Sequence, residues 1–347
     1  MIYKGPVKEI PQELLDSYTM NMTIPVLEWY WDQPVQSDLV WSEEFVERFL
    51  IRFTKENILN KHGLGPYKHA SLYLLEAFSS YPITGKSLAV LGTQTPWIEA
   101  MAINHRAQQV TTIDYNLPTC LHSAIATLAH HDFETRSPKF DCIVTYSSIE
   151  HSGLGRYGDL LDPDGDLKTM NAIYNSLDQD GLLFWGAPVG KDALVWNAHR
   201  IYGPRRLPLM FKDFEILEWF GFPHDSMKNS QIGAWDHQPV IVLRKGEQSG
   251  LPRMTVDNNE LSHETGHCYS IRFPKYYMPF DSEEDPRGSG LTMYENDIRL
   301  PAPHSSYKEI SGTGLGRYCH WYDTLYFSTS DNSDPRTNGN VYSINFT

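Results

Sequence analysis

Apolar residues follow three successive styles along this chain. Up to about residue 85 they recur at helical spacing. "SEEFVERFLIRFTKENIL" reads as a helix capped by Ser42, and "YKHASLYLLEAFSSY" as a second. From Lys86 short apolar runs alternate with amphipathic stretches. "KSLAVLG" predicts a buried strand ending in glycine, and "TPWIEAMAINHRA" a helix with Pro96 in its first turn. "QVTTIDYN" and "FDCIVTYS" are further strands. "DLKTMNAIYNSLDQDG" is an amphipathic helix closed by Gly181, with "LLFWGAPVG" as the strand after it. "DFEILEWFGF" and "HQPVIVLRKG" have too little between them for a helix, so they suit an antiparallel edge pair. Beyond about Gly246 the helical period is lost among prolines, tyrosines and Asx-Gly-Ser clusters. There "DTLYFSTS" and "NVYSINF" read as strands flanking the turn-rich "DNSDPRTNG".

This alternation predicts an α/β chain with a Rossmann-like, doubly wound, largely parallel sheet. The expected organisation is an N-terminal helical flank or lid over 1–85, the Rossmann-like domain over 86–246, and a small all-β accessory module over 251–347.

Composition narrows the function. With 29 basic against 43 acidic side chains the formal net charge is −14, which disfavours a nucleic-acid backbone as partner. The four cysteines show neither C-x-x-C spacing nor the density of a disulfide scaffold. No run of 18 apolar residues predicts a membrane span, and the N-terminal stretch lacks a signal-like apolar region. The expected location is cytoplasmic, or a secretory-pathway lumen if an anchor has been removed.

The chemistry concentrates where strands end. "FDCIVTYSSIEHSGLGRYGD" delivers two hydroxyls, a carboxylate and an imidazole to the C-terminal edge of a sheet, where open α/β folds bind ligands. Gly92 ends one strand and Asp114 ends the next, a placement that suits a backbone approach to a ligand and a carboxylate grip on ribose hydroxyls. "GTQTPW" keeps one of the three glycines of a dinucleotide cradle, so a cofactor without phosphates fits better than a nicotinamide dinucleotide.

The order strand–Gly92, strand–Asp114, "FDCIVTYSSIEH", "SLDQDGLLFWGAPVG" resembles the core of class I S-adenosylmethionine-dependent methyltransferases. More narrowly, "YSSIEHSGLGRYGD" with "WNAHRIYGPRRLPLMF" resembles a methyltransferase-like family first catalogued from nematode sequences as a domain of unknown function, over about residues 65–245. The resemblance implies S-adenosylmethionine as cofactor. Gly92 and Thr93 would line its methionine end, Asp114 its ribose, and Asp132 with Phe133 its adenine. Ser147, Ser148 and Glu150 would lie beside the reacting centre.

His151 is then the candidate base for an alcohol or phenol acceptor, with Asp159 as the alternative. Trp196, Asn197, His199, Arg200 and Tyr202 are candidate substrate-binding residues, able to stack on a sugar ring and bind its hydroxyls. The run Asp159, Asp162, Asp164 and Asp166 reads as a solvated turn with a helix cap rather than a cation site, and no metal is expected. His130, His131 and His237 read as structural or surface groups. The expected activity is O-methylation of a glycan or other hydroxylated small molecule. The alternative is a carbohydrate-binding protein on an inactive methyltransferase scaffold, its C-terminal module presenting Trp321, Tyr322 and Tyr326.

Overall fold

The computed structural model describes residues 7–30, 39–61, 63–203, 205–221, 238–246, 254–272, 280–296 and 298–346. The chain divides into two compact units, residues 1–202 with 214–247, and residues 203–213 with 248–347.

The first unit is organised by seven strands: β1 (Ser87–Leu91), β2 (Gln109–Asp114), β3 (Ile125–Ala129), β4 (Phe140–Tyr146), β5 (Leu177–Gly186), β6 (Phe214–Phe220) and β7 (Val240–Lys245). They form one sheet in the order β3-β2-β1-β4-β5-β7-β6. The first five are parallel. Strand β7 runs antiparallel to both β5 and β6, the reversed terminal hairpin expected from sequence. This is a Rossmann-like, doubly wound sheet, as expected from sequence. Its strand order reverses between β1 and β4, which opens a crevice at their C-terminal ends.

Parallel strands covered on both faces read as continuous apolar runs. Leu88, Ala89, Val90 and Leu91 of β1 are accordingly all buried. Strand β3 lies at the sheet edge with Ala126 and Thr127 exposed, so no such run marks it.

Seven helices of this unit follow in chain order: α1 (Gln12–Tyr18), α2 (Glu43–Arg52), α3 (Lys55–Asn60), α4 (Ala70–Ser80), α5 (Trp97–Asn104), α6 (His130–Arg136) and α7 (Gly165–Ser176). Ser42 caps α2 as expected, its side chain accepting from Phe45 N at 3.1 Å. The run read as one helix breaks after Arg52, because Thr54 supplies a second cap, to Asn57 N, and starts α3. Phe53 and Ile58 enter the same core as Phe78, Leu88, Ile98 and Phe184, so the N-terminal helices share the sheet's interior. Helix α7 ends at Ser176 instead of at Gly181. That glycine lies inside β5, where a Cβ would stand 2.9 Å from the Asp178 carbonyl oxygen.

The second unit carries two four-stranded antiparallel sheets. Thr324–Phe327 and Tyr342–Phe346, neighbours across the turn-rich run, belong to different sheets. Both sheets feed one core that includes Tyr269, Met293, Leu325, Phe327, Tyr342 and Ile344.

Candidate active site

A cavity of about 750 Å³ opens in the first unit at the C-terminal ends of β1, β2 and β4. Its size falls within the range of small-molecule sites.

At the end of β1, Gly92 has φ +76°, and a Cβ there would come within 1.8 Å of Ser148 Oγ. Glycine is therefore required twice, for its backbone and for the close approach of the loop after β4. At the end of β2, Asp114 Oδ2 accepts from Thr93 N (3.1 Å) and Oδ1 from Asn116 N (2.7 Å). Burial raises its pKa, against the backbone hydrogen bonds from Asn116, Thr93 and Tyr115. A carboxylate offers about four acceptor positions, so capacity for a ligand's hydroxyls remains. Next to it, Tyr115 stacks on His130 with ring centroids 3.8 Å apart and planes 20° apart, and both rings line the cavity. Burial lowers the His130 pKa to about 4, so this wall is neutral at pH 7.

At the end of β4, Ser147 adopts a left-handed conformation (φ +50°). Its N–H donates to Gly186 O (2.8 Å) and its hydroxyl to Glu150 Oε1 (3.0 Å). Glu150 is 1% exposed, and its Oε2 has no hydrogen-bond partner among the described residues. Burial pushes its pKa up to about 7, with the hydrogen bonds and Arg156 pulling the other way. His151 Nδ1 donates to Ala198 O at 2.5 Å, which leaves the lone pair on Nε2, 3.6 Å from Glu150 Oε1. Burial, followed by Arg156 and His199, holds His151 well below the usual imidazole range. Asp159 closes the glycine-rich loop by accepting from the N–H groups of Gly153 (2.7 Å), Gly155 (3.2 Å) and Tyr157 (3.2 Å).

Of the residues singled out from sequence, Gly92, Thr93, Asp114, Ser147, Ser148, Glu150, His151, Asp159 and His199 line this cavity. The others lie elsewhere. Asp132 pairs with Arg136 on α6 at 3.1 Å, and Phe133 is fully buried; the residue of that segment that reaches the cavity is His130, which sequence reading had set aside.

Most of the expected substrate loop is scaffold. Trp196 packs edge-on against Tyr18 (5.3 Å) and donates its Nε1–H to Val7 O. Asn197 is fully buried at a left-handed turn (φ +49°). Arg200 is buried, donating to the carbonyls of Ser152 (2.7 Å) and Pro163 (3.2 Å), with Nε 3.5 Å from Asp166. Tyr202 donates to Asp166 Oδ2 at 3.0 Å.

The aspartates are likewise dispersed. Asp162 accepts from Asp164 N and pairs with Lys168, while Asp166 faces Arg200. Among the described residues no three His, Cys, Asp or Glu side chains are gathered to hold a metal ion, and no helix is long and apolar enough to cross a membrane. His237 lies outside the described residues. Besides His130, the cavity gains Tyr67, Tyr115, Arg156 and Tyr157, which had no assigned role. Tyr115 and Arg156 had a visible signal, since they adjoin Asp114 and sit inside the glycine-rich loop.

Residues 85–244 match the family described as "Caenorhabditis protein of unknown function, DUF268". No curated protein matches the chain. Among solved structures it is similar to a Streptococcus mutans protein described as a SAM-dependent methyltransferase, at 13% identity and TM-score 0.34, over 49% of this chain and 47% of that one. The chain thus spans about half the length of that relative. It is also similar to the N-methyltransferase NodS of Bradyrhizobium japonicum WM9 in complex with S-adenosyl-L-homocysteine, at 13% identity and TM-score 0.37, over 59% of this chain and 98% of that one.

Proposed function

We propose that this chain is an S-adenosylmethionine-dependent methyltransferase that methylates an oxygen of a hydroxyl-bearing small molecule. The observation that carries the reading is one cavity at the strand-order reversal, walled by the Asp114 carboxylate on one side and by Glu150 and His151 on the other. The residues fit the cofactor. Its ribose needs a carboxylate at the end of β2, and Asp114 retains acceptor capacity there. It carries no phosphates, so a loop with one glycine suffices. When bound, it supplies an electrophilic methyl group.

Gly92 and Thr93 border the loop that would hold the cofactor's methionine end. The Tyr115–His130 stack offers a flat neutral face, and the backbone-fixed tautomer of His151 keeps a lone pair on Nε2. Positioning of donor and acceptor supplies much of the acceleration in such a transfer. Catalysis is assigned to the sheet-bearing domain over 86–246, with the 1–85 helices as its flank and residues 251–347 as an accessory module. A cytoplasmic setting and an acceptor other than nucleic acid accompany this reading. Of the residues that motivated a glycan acceptor, His199 lines the cavity, whereas Trp196, Arg200 and Tyr202 are occupied as scaffold.

Calorimetric titration with S-adenosylmethionine and S-adenosylhomocysteine tests the proposal. Binding that is lost in Asp114→Ala is the expected result. No binding of either by the folded protein would instead favour a scaffold that has lost its cofactor.

A further inference from the structure

The Glu150 carboxyl is only half satisfied in the cavity wall. It sits in the single turn Ile149–His151, one oxygen held by the Ser147 hydroxyl and the other without a hydrogen-bond partner among the described residues. A buried carboxylate oxygen lacking a donor is costly, whereas a neutral carboxyl is far less so.

The groups around it come from several elements. His151 Nε2 is 3.6 Å from Oε1, and Arg156 acts on the carboxyl from the glycine-rich loop. The phenols of Tyr67, Tyr146 and Tyr157 face it with pKa values raised by burial, so they carry no charge near neutrality. Arg200 spends a donor on the Glu150 backbone carbonyl at 3.4 Å. His151 is neutral, held so by burial. Burial outweighs the Arg156 field, so the neutral carboxyl persists well above the usual carboxylate range.

We propose that Glu150 reads the charge in this cavity: it favours the neutral form while no cation is present, ionises when a ligand brings a positive charge in, and in that state takes the acceptor's proton. A positive charge in a poorly solvated cavity favours the carboxylate strongly. The inference rests on the methyltransferase reading. In transfer to a hydroxyl, the oxygen lone pair forms the new C–O bond, the C–S bonding pair stays on sulfur, and the O–H proton passes to Glu150 Oε2. The cavity is then left with a neutral thioether, a neutral ether and a neutral carboxyl. The one proton the overall reaction releases is the proton Glu150 gave to solvent when the cation entered. His151 keeps its lone pair throughout and serves as a neutral neighbour.

The test is proton counting by calorimetry on the full chain, titrating S-adenosylmethionine and S-adenosylhomocysteine in buffers of different ionisation enthalpy. The two ligands share their amino and carboxyl groups, so the difference between them reports the sulfonium charge. The sulfonium ligand is expected to release a fraction of a proton that is largest below about pH 7 and falls towards none as the pH rises above it. The thioether should release none across this range. In Glu150→Gln the buffer dependence should vanish. Ser147→Gly, which removes the hydroxyl donor and suits the left-handed backbone, should move the loss of release to higher pH. Equal proton counts for the two ligands, or release that persists in Glu150→Gln, overturn the assignment while leaving cofactor binding intact. Failure of both ligands to bind the folded protein overturns the assignment together with the reading beneath it.

Discussion

The stretches Ser147–Asp159 and Trp196–Tyr202 have similar chemistry on paper. Each mixes a charged group, an imidazole and an aromatic ring, and each follows a strand. Their fates differ. The first opens on the cavity and keeps one buried carboxyl oxygen without a partner. In the second, Arg200 is equally buried but spends its guanidinium on carbonyls of the loop it staples. Burial therefore does not separate Glu150 from Arg200; completeness of hydrogen bonding does, while His199 of the second stretch also reaches the cavity. A buried polar group whose bonds are made is holding the fold, and one left open at a cavity wall awaits a ligand.

The largest expected effect comes from the scaffold side. Arg200→Ala leaves Asp166 buried without its guanidinium partner, and chemical denaturation should show a loss of about 3–5 kcal/mol. A loss below about 1 kcal/mol would place Arg200 among the open groups and break the distinction.

Glu99 offers a carboxyl that is buried yet away from the cavity. Thr112 Oγ1 donates to its Oε1 at 2.7 Å, its Oε2 has no hydrogen-bond partner among the described residues, and burial lifts its pKa to about 8. Its folded value lies above the unfolded one, so its contribution is fully present below about pH 4.5 and is lost as pH rises through about 8. Glu99→Gln should therefore flatten the fall in melting temperature between pH 5 and 8.5, by the equivalent of a few kcal/mol. It should leave the proton count on ligand binding unchanged. An altered count would mean that the two buried carboxyls are coupled.

Gly92→Ala tests the interlock on the cavity side. The added methyl group meets Ser148, so ligand affinity measured by calorimetry should fall at least tenfold. Adding Ser148→Gly should restore most of it, leaving about 1–2 kcal/mol of backbone strain at position 92. No recovery in the double variant would show that the backbone alone requires glycine there.

The smallest effect should come from Trp196→Phe, which removes the bond to Val7 O and costs about 1 kcal/mol of stability. Ligand affinity should not move. A measurable change would return Trp196 to the binding site.

The sheet was legible because buried parallel strands announce themselves as unbroken apolar runs, as in Leu88–Leu91. Strand β3 was not, since an edge strand with Thr127 facing water resembles a loop. That Asp114 and Glu150 line the cavity was legible because strand ends in this fold face one edge. Their company was harder to foresee. Tyr115 and His130 stack only because β2 and β3 are paired in register, with Asp114 opposite Ala129. The direction taken by Arg200 depends on the tight turn at Asn197, which nothing in local composition specifies.

The chain's path between its units has a consequence for biosynthesis and for protein engineering. Gly203–Asp213 belongs to the second unit but is made before the β6–β7 hairpin of the first. On the ribosome, that segment must wait for residues 248–347 before the unit it joins is complete. A fragment cut at residue 247 would leave Leu207, Met210 and Phe211, all buried in the intact chain, without the rest of that unit. Such a fragment should be sticky for a reason unrelated to its sheet, and a cleaner truncation would also replace Gly203–Asp213 with a short polar linker.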